Sequence, residues 1–129
     1  MGSGNQHRIL TARNESVDVI RLDFRYSNGE YLVRAALRTD AGKYSFTSWH
    51  AISDAAHVIE VDWQASSSAG ANDGYLSLWL DNVLQQTRSG IDNDTLRVED
   101  VRLGPSGGID SATSGTEFFD DFVSLRTSR

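Results

Sequence analysis

The stretch His57–Gly90, HVIEVDWQASSSAGANDGYLSLWLDNVLQQTRSG, decides the fold, because two alternating apolar runs, a polar loop and a tight turn fall within one short span. In HVIEVDW, His57, Ile59, Val61 and Trp63 lie on one side of an extended strand, and Val58, Glu60, Asp62 and Gln64 on the other. One side is core; the other is wet. The run GYLSLWLD repeats the pattern, with Leu76, Leu78 and Leu80 facing one way and Tyr75, Ser77, Trp79 and Asp81 the other. Asp81-Asn82 suits a two-residue turn, since both residue types tolerate positive φ, and Val83-Leu84-Gln85-Gln86 returns as the partner strand. The intervening Ser66–Gly74 is too rich in Ser, Ala and Gly to pack, which places it across an edge or over a rim.

Upstream, Val17–Tyr26 sets Ile20, Leu22, Phe24 and Tyr26 against Arg21, Asp23 and Arg25. Asn28-Gly29 is a strong hairpin signal, and Tyr31–Thr39 answers as the second arm, with Tyr31, Val33, Ala35 and Leu37 inward. Asp40-Ala41-Gly42 supplies another turn, followed by a short run from Lys43 to Phe46 that leads into Trp49-His50. Gln6–Asn14 alternates weakly and reads as an edge strand. Downstream, Leu96–Leu103 reads as a strand, Gly104–Gly115 as a Gly/Ser-rich connection and Thr116–Leu125, TEFFDDFVSL, as the last strand. No segment holds a 3.6-residue period over helical length, so the expected fold is all-β: six to eight strands in an antiparallel sandwich or jelly roll.

A chain of 129 residues supports one domain, spanning 5–129, that buries roughly two thirds of its unfolded surface. Met1-Gly2-Ser3-Gly4 reads as a vector remnant, and the lone methionine points to a domain cut from a longer protein. The absence of cysteine excludes disulfides, thiolate zinc sites and cysteine nucleophiles. A net charge of −6 argues against a nucleic-acid partner, whose phosphates need a clustered basic surface. No apolar run approaches the roughly 20 residues that span a bilayer, so membrane insertion is not expected.

The runs HVIEVDWQA, NDGYLSLWLDNV, GIDNDTLRVEDVRLGP and GTEFFDDFVS resemble the concanavalin A-like, laminin G-type jelly-roll modules of large bacterial surface proteins. The likeness covers about residues 50–125. It implies an extracellular or cell-surface location, a non-catalytic recognition role toward carbohydrate or a surface protein, and a structural calcium held by a late aspartate, Asp120 or Asp121. The chain is shorter than a full domain of that family, so an edge strand is expected to be missing. Such an edge leaves N–H and C=O groups available to a second copy, a homodimer, or to sequence beyond this chain. An assembly or spacing module is therefore the alternative to a recognition module.

Glu60-Val61-Asp62 invites comparison with the carboxylate strand of the retaining glucanases in the same superfamily. The third position is Gln64 or, with a bulge, Ala65, neither of which supplies the second carboxyl needed at about 5–5.5 Å. Cross-strand pairing of Glu60 and Asp62 with Arg34 or Arg38 is the simpler expectation, and the chain does not read as an enzyme. Tyr75 and Trp79 share the outward face with these acids, an arrangement in which rings stack on sugars and carboxylates accept hydroxyl protons. The expected ligand site is thus Tyr75, Trp79, Glu60 and Asp62. Asn72-Asp73, Asp92-Asn93-Asp94, Asp110 and Asp120-Asp121 supply the hard oxygens calcium prefers. The dispersed His7, His50 and His57 do not form a zinc pattern.

Overall fold

The computed structural model describes residues 6–107, 111 and 116–124; Met1–Gly4, Asp110 and Leu125 lie outside them. Nine strands occur there: β1 (His7–Asn14), β2 (Val17–Ser27), β3 (Glu30–Arg38), β4 (Tyr44–Phe46), β5 (His50–Ile52), β6 (Ile59–Gln64), β7 (Gly74–Leu80), β8 (Val83–Ile91) and β9 (Asp100–Gly107). They form two antiparallel sheets: a large one in the order β4-β3-β2-β1-β9, with β5 also on β3, and a small one in the order β6-β7-β8. Because β4 and β5 pair with opposite halves of β3, they act as one interrupted edge strand.

Turn chemistry sets the hairpins. Asn28-Gly29 and Asp81-Asn82 carry positive φ at both positions, the mirror-image turn whose twist matches that of the flanking strands. Alternation sets the core: Leu22, Phe24, Val33, Ala35 and Leu37 of the large sheet meet Leu76, Leu78 and Leu80 of the small one, all buried. Ile59, Val61 and Trp63 pack against this cluster. In β2 both Val19 and Ile20 are buried, which simple alternation forbids. The pairing resolves the conflict, because register passes from Ala12 opposite Ile20 to Arg13 opposite Asp18 and leaves Val19 as an extra residue turned inward.

The loop Ser66–Gly74 is fastened rather than merely draped over a rim. Asn93, fully buried, accepts from Ser66 N at 2.9 Å and donates to the Gln64 carbonyl at 3.3 Å, while Ser66 Oγ donates to the Ile91 carbonyl at 2.6 Å. A Cβ on Gly74 would collide with Asn93 Oδ1 and the Ile91 carbonyl oxygen, so this knot requires glycine there. At the other side of the sandwich, Gln86 of β8 accepts from Ser48 N at 2.7 Å and lies 3.3 Å from His50 Nε2, joining the sheets.

Four expectations change. Nine strands occur among the described residues rather than six to eight, because the edge beside β3 is split into the short β4 and β5. β1 is not an edge strand; it lies between β2 and β9. The late strand begins at Asp100 rather than Leu96 and runs through Pro105, which is tolerated because β9 is the sheet edge among the described residues. Residues 116–124 form no strand. In that segment Phe118-Phe119 and Asp120-Asp121 break strict alternation, and its Glu117 instead meets the buried His7 at 2.5 Å.

Candidate functional site

Pairing in the small sheet brings the expected ligand residues together. Glu60 is opposite Trp79, Asp62 opposite Ser77 and Gln64 opposite Tyr75, so rings and acids alternate on the outer face. Glu60, Asp62, Tyr75 and Trp79 are all half-buried. The Tyr75 hydroxyl donates to Asp62 Oδ2 at 3.3 Å, and Ser77 Oγ lies 2.8 Å from Thr87 Oγ1. On β8 the register skips Gln85 and places Leu84 opposite Trp79, where it is 47% exposed. The pairing therefore brings together two aromatic bodies, one aliphatic neighbour and acceptor oxygens, with a negative sign.

Asp81, expected to look outward, is consumed by its own turn. It accepts from His57 Nδ1 at 2.7 Å and from Val58 N at 2.9 Å. The His57 hydrogen bond first, and the Val58 N–H after it, hold its carboxyl below the usual 3.8. Arg34 and Arg38 do not pair with Glu60 or Asp62. They stand on the outer face of the other sheet, where Arg34 Nε donates to Asp23 Oδ2 at 3.1 Å, because β3 belongs to the large sheet and its even-numbered side chains point away from the core.

A carboxylate cluster assembles where the sequence named only one part. Asp40 from the β3–β4 turn and Asp92 and Asp94 from the β8–β9 loop each place one oxygen within 4.8 Å of the others. Asp40 N donates to the Asp92 carbonyl at 2.8 Å, and Thr95 Oγ1 donates to Asp40 Oδ1 at 2.5 Å. Burial pushes Asp40 upward, but the hydrogen bonds, led by Thr95, outweigh it and hold the carboxyl below its usual value. Asp94 moves the other way, raised chiefly by its hydrogen bond to Asp40 and then by burial and the Asp40 charge. Three hard oxygens suit calcium in kind and supply part of the six to eight ligands it takes. Asp120 and Asp121 are exposed and are not members of this cluster; Asp121 N donates to Asp120 Oδ1 at 2.8 Å. Asp40 carried no separate signal in the sequence, since its turn explains it fully.

No family model matches the chain, and neither a curated protein nor a solved structure matches it.

Proposed function

We propose that the chain is a non-catalytic recognition module of the laminin G-type kind its sequence resembles, displayed outside the cell, which binds neutral carbohydrate on the outer face of β6-β7-β8. The observation that carries this reading is the cross-strand placement of Glu60 against Trp79 and of Asp62 within hydrogen-bonding reach of Tyr75. Rings supply apolar contact with the C–H faces of a sugar, and carboxylates accept its hydroxyl protons. Acids on this face disfavour an anionic glycan, which is why the ligand is neutral.

An array of neutral and acidic oligosaccharides tests it. The expected result is retention on neutral members, lost in Trp79→Ala with thermal unfolding little changed. Retention that survives Trp79→Ala overturns the assignment.

The open side of β8 favours a second reading, an assembly module. Val83 and Leu84 are 59% and 47% exposed, and β8 pairs only with β7 among the described residues. A second copy adding a strand there would cover both. Light scattering separates the two readings, because a monomer at high concentration leaves only the recognition module.

A further inference from the structure

The outer face of the large sheet carries an unbroken alternation of guanidinium groups and rings. Arg38 Cζ lies 5.7 Å from the Tyr44 ring centroid, and Arg21 Cζ lies 4.9 Å from Tyr44 and 5.8 Å from Phe46. Arg34 Cζ follows at 4.1 Å from Phe46 and 4.5 Å from Trp49, and Arg25 Cζ closes the series at 4.3 Å from Trp49. Strand register builds it: outward residues of β2 and β3 supply the cations, β4 supplies Tyr44 and Phe46, and the break before β5 supplies Trp49.

We propose that this ladder is a second binding surface, separate from the Tyr75–Trp79 face, and that it takes an acidic polysaccharide through its uronate carboxylates. Each of the three rings already has two guanidiniums within 5.8 Å of its centroid, which compete with the stacking on nucleobases that single-stranded nucleic-acid sites depend on. Stacking occupies the flat side of a guanidinium and directs an acceptor to the N–H groups in its plane. The Nε of Arg21 and Arg25 is buried and that of Arg34 is taken by Asp23, which leaves the terminal nitrogens for one. A carboxylate is the planar acceptor that fits such a fork with two parallel bonds. Ring edges carry the positive end of the aromatic quadrupole and favour oxygen as well.

Charge points the same way. Asp23 neutralises part of Arg21 and Arg34, but neither Arg25 nor Arg38 forms an ion pair among the described residues. Arg8, Arg13 and Arg102 extend the basic surface beside the ladder around a depression of about 160 Å³, with Asp18 bonded to the first two. The −6 of the whole chain therefore hides a face of the opposite sign.

The test is titration with polygalacturonate oligomers, their methyl esters and a single-stranded oligonucleotide of similar length. Saturable, salt-sensitive binding of the free acid is expected, with the ester and the oligonucleotide at least about tenfold weaker, and a similar loss in Arg25→Gln/Arg38→Gln. Trp79→Ala leaves this binding unchanged, which distinguishes its failure from that of the neutral-glycan site. Equal binding of the ester overturns the role of charge, and equal binding of the oligonucleotide overturns the glycan. Should the double variant unfold, wild-type protein at high salt decides the matter: binding that persists there refutes the proposal.

Discussion

The two outward faces of the sandwich use the same kind of ring with opposite charge, and they bury it differently. On the small sheet, Asp62 is half-buried and meets Tyr75 through one long hydrogen bond. On the large sheet, Asp23 is 1% exposed between Arg21 and Arg34, with rings stacked outside both arginines. An acid that keeps its water is available to a ligand, whereas one sealed by cations and rings is committed to stability. The difference teaches that a carboxylate on an outer sheet face has no fixed meaning until its neighbours are placed.

Asp23→Ala gives the sharpest break in this comparison. Removing the acid leaves two guanidiniums facing each other in a sheltered layer, and a loss of about 3 kcal/mol is expected by urea unfolding. Asp62→Ala removes one weak, half-exposed hydrogen bond and should cost only about 0.5 kcal/mol. Similar losses for the two would erase the contrast. A third acid refines it through pH. Because the folded value of Asp81 lies below 3.8, the stability it contributes is complete above that pH and is lost as pH falls through the folded value. Asp81→Asn should therefore flatten the fall in melting temperature below pH 3.8, and an unchanged slope would mean that the His57 and Val58 hydrogen bonds do not bear on stability.

Much of the fold was legible. Period-two alternation placed Leu76, Leu78 and Leu80 in the core and Tyr75 and Trp79 on the opposite face, because successive side chains in a strand must point to opposite sides. Asn28-Gly29 and Asp81-Asn82 were legible because few residue types accept positive φ. Glu15-Ser16 was not, although Glu15 has φ 55, since nothing in its chemistry announces a turn; its N–H is instead accepted by Glu99 Oε2, 84 residues away. The inward turn of Val19 was hidden for a similar reason, as a bulge is a property of the pair of strands.

The candidate sites divide along the same line. Glu60, Asp62, Tyr75 and Trp79 come from two strands that neighbour each other in sequence, so their common face followed from alternation once the two strands paired. The Asp40, Asp92 and Asp94 cluster and the arginine ladder draw on segments whose proximity depends on which strand pairs with which.

By itself, the sequence determined that this chain is built of strands, where its best hairpins turn and which side of each strand is apolar. These are local consequences of side-chain alternation and φ. Only the tertiary structure decided that β1 is interior, that β9 lies beside it, that Arg34 and Arg38 belong to the sheet opposite Glu60 and Asp62, and that residues 116–124 form no strand. Alternation fixes which face a residue takes but not which strand lies next to it, and partner choice is settled by the packing of the whole chain.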